Sequence, residues 1–187
     1  IILISLFGLF ASLLYLMIAS RSTETYTVWQ VMNPLFLPLY FSTATALLLL
    51  IIRGKLSPWI LLLCIVSFSA IAHMVFNLIL FPGFYGDSWT HLAFERTLLN
   101  NELTLYSFVE VPLVVRLNYL GQYSWVSIVN KMIPIDVYWI HTFLIPLLWS
   151  LFLPLIVFEI ARMLWCTSVK ASLISSVLTL ASPHLIY

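Results

Sequence analysis

The feature that most constrains this chain is a series of long apolar runs with almost no charge. Charged residues make up 8% of the 187-residue sequence, against about 25% in ordinary soluble domains. A helix needs about 20 apolar residues to cross a hydrocarbon core of roughly 30 Å, because every backbone polar group must bond within the span. Four runs meet that length: Ile1–Ser20, Pro34–Ile52, Pro58–Phe81 and Val137–Ala161. A fifth run begins near Lys170.

These runs predict an all-α, polytopic transmembrane helical bundle. Residues 1–81 would hold three spans, residues 82–136 a long outer loop with interfacial amphipathic helices, and residues 137–187 the fourth and fifth spans. The sequence opens without Met and stops at Tyr187 inside an apolar run, so we expect a fragment, or the ordered part, of a longer protein. A signal peptide is the alternative for the first run, but it lacks a preceding basic stretch and a nearby cleavage pattern.

Basic residues predict the orientation, because Lys and Arg in short loops are retained on the cytoplasmic side. Arg53 and Lys55 lie between the second and third spans, and Arg162 and Lys170 flank the connection after the fourth. Both connections fall on one side of an up-and-down topology. We therefore expect a multi-pass plasma-membrane protein whose 82–136 loop faces the outside, periplasm or lumen.

Several chemistries lack their sequence signals. Nucleic-acid binding would require a basic patch with interleaved aromatic residues, and none is present. A glycine-rich phosphate loop and a Cys/His cluster with zinc spacing are also missing. Cys64 lies in the third span and Cys166 in a connection predicted to be cytoplasmic, so no disulfide is expected. Membrane lipid is the one partner that composition itself predicts.

The outer loop begins with the most chemically informative residues of the chain. Asp87, His91 and Glu95 recur every four residues, so a helix from Asp87 to Asn101 would place them on one stripe. A carboxylate there is available to a metal ion, a proton or a phosphate. The structural alternatives are that Asp87 only caps the helix and that Glu95 forms a solvated surface pair with Arg96.

A second amphipathic segment, Asn118–Ile133, follows in the same loop. Four aromatic residues of the two segments are predicted to lie at the level of the lipid headgroups, with a sugar-stacking platform as the alternative. They are Trp89, Tyr119, Tyr123 and Trp125.

Polar residues also follow a stripe on the third span. Ser69, His73 and Asn77 recur every four residues on an otherwise apolar helix. Such groups form interhelical hydrogen bonds or line a wet cavity, because exposure to lipid is costly. In the second case the stripe would line a pocket that opens toward Asp87. His141, one turn into the fourth span, could reach the same pocket.

The region from Ile71 to Tyr187 resembles a known family. An apolar span, a tight Gly-Asp turn, the segment Asp87-Ser-Trp-Thr-His-Leu-Ala-Phe-Glu-Arg96, an aromatic-rich segment and a further span follow one another. This order is similar to the first outer loop of GT-C type membrane glycosyltransferases, which include oligosaccharyltransferase catalytic subunits and protein mannosyltransferases. The family places this loop after its first span, whereas two further candidate spans come first here.

The resemblance implies transfer of a sugar from a polyprenyl-phosphate-linked donor to an acceptor on the outer face of the membrane. Asp87 would be the catalytic residue, either as general base or as a ligand of a divalent cation such as Mg²⁺ or Mn²⁺. Metal-dependent members of the family also use a second acidic motif, for which Glu110 and Asp136 are the candidates in this sequence. Arg116 is a further possible phosphate ligand. The candidate substrate and phosphate contacts are His91, Glu95, Arg96, His73 and His141.

Two hypotheses from other classes stay open. In a transporter or lipid-handling protein, the Ser69, His73, Asn77 stripe would line a pathway and the outer loop would be a gate. In a non-catalytic membrane subunit, the aromatic residues of the loop would dock a partner protein. The first predicts flux without covalent change, and the second predicts that neutral changes at Asp87 are harmless.

Overall fold

The computed structural model describes residues 2–21, 28–80, 88–100 and 120–180, which are helical apart from short turns. The helices are α1 (Ile2–Ala19), α2 (Val28–Val31), α3 (Phe36–Arg53), α4 (Pro58–Ile79), α5 (Ser88–Leu99), α6 (Leu120–Met132), α7 (Val137–Met163) and α8 (Val169–Leu180). Within those ranges the chain forms no strand. The prediction of an all-α protein is confirmed.

Three of the helices, α3, α4 and α7, are long and apolar enough to cross a membrane. They correspond to the second, third and fourth runs of the sequence, so the prediction of a membrane protein is confirmed at this level. The apolar stretches Ile4–Ala19 and Val169–Leu180 are shorter. A crossing by the first and fifth runs stays a prediction.

A tight connection joins α3 to α4. Gly54 adopts the left-handed conformation with φ 63°, and its N–H donates to the carbonyls of Leu50 and Ile51, which is a common way to end a helix. Ser57 then caps α4 by accepting from the N–H of Ile60, and Pro58 takes the first helical position. The two apolar helices are therefore separated by only a few polar residues.

The chain divides into two compact units. Unit 1 comprises Ile1–Pro82 and Pro146–Tyr187, and unit 2 comprises Gly83–Ile145. Residues 137–145 of α7 belong to unit 2 and the remainder of that helix to unit 1.

Unit 1 has an almost entirely apolar core. Helices α1 and α8 each pack against both α3 and α4. Each helix buries one stripe at helical spacing, such as Phe10, Leu13 and Met17 on α1. At the centre the rings of Tyr40 and Phe68 lie 4.5 Å apart between centroids. The Tyr40 hydroxyl donates to the carbonyl of Leu180 at 2.7 Å, so this buried hydroxyl is bonded.

Unit 2 contains packed helices in the part of the predicted outer loop that the structure describes. Helices α5 and α6 pack against each other, and their apolar contacts are completed by the first turns of α7. The buried apolar residues are Leu92, Val126, Val137 and Ile140. The helices predicted from Asp87 to Asn101 and from Asn118 to Ile133 are observed as α5 and α6. Their position relative to the membrane surface stays a prediction.

Candidate functional site

The candidate site centres on Glu95, a carboxylate that is completely buried in unit 2. Its Oε1 accepts a hydrogen bond from Gln122 Nε2 at 3.3 Å, and its Oε2 accepts one from His141 Nδ1 at 2.8 Å. The three residues come from α5, α6 and α7. A buried carboxylate therefore joins α5, α6 and α7, and each of its oxygens has a donor.

A second polar contact lies one helical turn away. His91 is 6% exposed, and its Nδ1 lies 2.6 Å from the hydroxyl of Tyr123, which is 1% exposed. His91 and Glu95 share one face of α5 because they are four residues apart, and Tyr123 follows Gln122 directly on α6. We call these five residues, His91, Glu95, Gln122, Tyr123 and His141, the Glu95 cluster.

The structure brings together three of the residues that the sequence singled out. His91, Glu95 and His141 were candidates for substrate or phosphate contact; His91 and Glu95 are buried, and the side chain of His141 is 8% exposed. His141 was expected to reach a pocket that opens toward Asp87, and in the structure it bonds Glu95 across 46 positions of sequence. Binding of a substrate or phosphate by these residues stays a prediction.

The interpretation of Glu95 and Arg96 as a solvated surface pair is wrong. Consecutive residues of a helix point about 100° apart, so Glu95 faces the interior and Arg96 faces away from it. The Arg96 guanidinium instead lies 3.6 Å from the carboxylate of Asp136, with both side chains more than half exposed. Asp136 also accepts from the N–H of Tyr138 at 2.8 Å and so caps α7. An exposed pair of this kind contributes little to stability.

Tyr123 was predicted to lie at headgroup level; its depth in the membrane stays a prediction, but its side chain is not exposed. Tyr123 is buried beside Phe94, with ring centroids 4.8 Å apart. Trp89 and Trp125, in contrast, are each more than half exposed. The signal for this difference was in the sequence, because Tyr123 and Val126 are three residues apart and form one stripe of α6, whereas Trp125 lies off it.

Sequence reasoning missed Gln122 altogether. A single glutamine among aromatic and aliphatic residues carries no signal of its own. Its importance follows from its position opposite Glu95, 27 residues earlier in the chain. A helical-wheel comparison of α5 and α6 would have placed Gln122 next to the Tyr123 stripe, but it could not have paired the two helices.

Asp87, the residue on which the catalytic prediction depends, lies outside the described residues, as do Glu110 and Arg116. It directly precedes Ser88, the first residue of α5. Its assignment as a catalytic residue or a metal ligand stays a prediction.

The described residues do not by themselves fit a divalent cation. Across residues 2–21, 28–80, 88–100 and 120–180, no three His, Cys, Asp or Glu side chains are grouped closely enough to hold one. Glu95 uses both oxygens as acceptors for nitrogen donors, whereas Mg²⁺ and Mn²⁺ bind through available carboxylate oxygens. A divalent cation with Asp87 as a ligand stays a prediction.

His73, the remaining candidate, belongs to unit 1. Its Nδ1 lies 2.8 Å from the carbonyl oxygen of Ser69 and 3.3 Å from its hydroxyl, one turn earlier on α4. The interhelical hydrogen bonding expected for this stripe is therefore replaced, for Ser69 and His73, by bonds within one helix. These bonds favour neither a pathway nor a substrate site.

No protein-family model, no curated protein and no solved structure matches this chain. Function is therefore argued from the chemistry of the site.

Proposed function

We propose that this chain is the N-terminal part of a GT-C type membrane glycosyltransferase, which moves a sugar from a polyprenyl-phosphate-linked donor to an acceptor on the outer face of the membrane. The observation that carries the proposal is the complete burial of Glu95 against His141 and Gln122. Burying an ionisable pair is costly, because both groups lose their hydration. In a chain with so few charges, such a pair is best explained by a functional need for a fixed polar centre.

The Glu95 cluster would act as a positioning device in this proposal. It ties α5 to α6 and α7 through directional bonds, and Asp87 stands immediately before α5 in the chain. Reactive groups perform well when rigid elements and a bonded supporting shell hold them in place. Glu95, Gln122 and His141 are therefore proposed as positioning residues, and Asp87 as the catalytic residue.

The reaction assigned to Asp87 is proton removal from the acceptor. Its carboxylate would accept the proton of the attacking group while the bond between the sugar and the donor phosphate breaks and the phosphate leaves with its electron pair. Arg96, exposed on α5, is the proposed phosphate contact because a guanidinium binds phosphate bidentately. A divalent cation, when bound with Asp87 as a ligand, would neutralise the charge of the leaving phosphate.

The same proposal includes a multi-pass topology in which residues 82–136 face outward. It is supported by the basic residues of the connections between the candidate spans, among them Arg53 and Arg162 at the ends of α3 and α7. An outward position would give Asp87 access to acceptors outside the cell or in the lumen.

The test is transfer of radiolabelled sugar from polyprenyl-phosphate donors in membranes that contain the full-length protein. Asp87→Asn should abolish transfer, while Glu159→Gln should leave it close to wild type, because Glu159 is exposed near the C-terminal end of α7 and has no proposed role. Addition and removal of Mg²⁺ and Mn²⁺ would separate a ligand role from a base role. Wild-type transfer by Asp87→Asn, at equal expression, contradicts the proposal.

A second candidate is a non-catalytic membrane subunit. It is favoured by the fact that both oxygens of Glu95 are already bonded, together with the exposure of Trp89 and Trp125 on unit 2. Exposed aromatic residues are common anchors of protein interfaces. In that case Asp87→Asn would be harmless, whereas Trp89→Ala or Trp125→Ala would release a partner protein during purification.

A further inference from the structure

Two cavities follow the line of contact between α1 and α3 in unit 1. The larger, of about 680 Å³, lies beside Ser12 of α1 and Ser42 of α3. The smaller, of about 160 Å³, lies beside Leu9 of α1 and Ala46 and Arg53 of α3. We call this line of contact the α1–α3 seam.

The lining residues of α3 form one continuous stripe. They run from Leu35 through Ser42 and Ala46 to Arg53, so that both cavities lie on the same face of the helix. Small residues at Ser42 and Ala46 leave room between the helices. Apart from hydroxyl groups, the lining is apolar until it reaches the guanidinium of Arg53.

Positive charge is concentrated at that end of the seam. Arg53 is exposed, and within the part of the chain that the structure describes no carboxylate forms an ion pair with it. Lys170 lies at the same helix end, where its Nζ donates to the carbonyl of Ile52 at 2.8 Å. An anionic group at Arg53 would therefore meet its guanidinium and no competing acid from the described residues, with Lys170 at the same end of α3.

We infer that the α1–α3 seam binds an anionic phospholipid, with its phosphate at Arg53 and one acyl chain along the seam past Ala46. The rise of α3 from Arg53 to Ser42 is roughly 16 Å, about half of a hydrocarbon core of roughly 30 Å. An acyl chain that starts at Arg53 therefore ends near the larger cavity. Basic sites between transmembrane helices are known to hold anionic headgroups.

This lipid site is independent of the proposed transferase activity. It lies in unit 1, uses none of the Glu95 cluster, and requires only that α3 cross the membrane. The charge at Arg53 selects the headgroup, and the apolar stripe holds the chain.

Native mass spectrometry of the purified full chain tests the headgroup. The protein is titrated with phosphatidylglycerol or phosphatidylcholine of identical acyl chains. Wild type should bind one phosphatidylglycerol about tenfold more tightly, as expected for a charge-assisted contact. Arg53→Gln should lose the preference. Lys55→Gln, which removes the same charge outside the seam, should keep it.

A second pair of variants tests the seam. Ala46→Phe fills the smaller cavity and should weaken phosphatidylglycerol binding, whereas Thr45→Phe adds the same ring at an exposed neighbour outside the lining and should not. Arg53→Lys keeps the charge and should retain most of the preference, which distinguishes loss of charge from misfolding. Equal affinity for the two lipids, equal losses in Arg53→Gln and Lys55→Gln, or full binding by Ala46→Phe overturns the inference.

Discussion

The two units of this protein have interiors of opposite character. Unit 1 is built around aromatic and aliphatic side chains such as Phe36 and Phe68, and its buried hydroxyl groups bond mainly to helix carbonyls. Unit 2 buries a carboxylate, a histidine and a tyrosine, and a small cluster of apolar residues is buried in the same unit. One interior is held by shape and the other by directional polar bonds.

This contrast teaches which parts of a membrane chain tolerate change. Apolar packing is non-directional, so neighbouring side chains can adjust to a substitution. A buried polar network fails when one member is removed, because its partners keep the cost of burial without the bond. Unit 2 should therefore be the more sensitive of the two to single substitutions.

The largest effect is expected for Glu95→Ala. It removes the acceptor that His141 and the half-buried Gln122 share, and each hydrogen bond lost to a polar group in the interior costs about 1–3 kcal/mol. Hydrogen exchange should show lost protection in α5 and α6, while α3 and α4 stay protected. Glu95→Gln should cost less, because its amide oxygen still accepts one bond. Equal loss of protection in both units would remove the distinction between them.

The matching substitution in the apolar core, Phe68→Ala, should destabilise unit 1 alone. Phe→Ala costs about 3–5 kcal/mol in the cores of soluble proteins. Part of that free energy comes from moving the ring out of water, and this part is absent for helices surrounded by lipid. We expect a smaller loss, seen as faster exchange in α4 and α1 and unchanged exchange in α5. Leu63→Ala, at an exposed position of the same helix, is the control. A loss larger than that of Glu95→Ala would reverse the comparison.

The smallest effect is expected for Tyr123→Phe. It removes the hydroxyl that contacts His91 Nδ1 but keeps the ring that packs on Phe94. The cost of leaving a buried partner without that bond is about 1–3 kcal/mol, measurable as a lowered midpoint of thermal unfolding. Tyr15→Phe removes a hydroxyl from a side chain that is 70% exposed and should have no effect. Identical midpoints for the two variants would show that the contact is dispensable.

The sequence predicted unit 1 better than unit 2 for a physical reason. A span is recognised from composition within one segment, so the runs at Pro34–Ile52, Pro58–Phe81 and Val137–Ala161 correspond closely to α3, α4 and α7. Periodicity also located α5 and α6. These signals are local, and a helix that crosses lipid depends little on what it packs against.

The Glu95 cluster could be predicted only in part. Spacing along α5 placed His91 and Glu95 on one face, and the position of His141 near the start of a span suggested that it could approach them. Whether Glu95 lies in the interior or in solvent depends on its bonds to Gln122 and His141, which are distant in sequence. Burial of a side chain is determined by which helices pack together, and that pairing cannot be read from a single sequence.

The bond between Glu95 and His141 also has a consequence for biogenesis. His141 leaves the ribosome 46 residues after Glu95, a delay of roughly 2–9 s at synthesis rates of about 5–20 residues per second. Until Gln122 is made, 27 residues after Glu95, the carboxylate has neither partner, and until His141 is made it lacks the second. The full set of bonds to Glu95 therefore waits for the synthesis of α7, and before then α5 is expected to stay where water can hydrate the carboxylate.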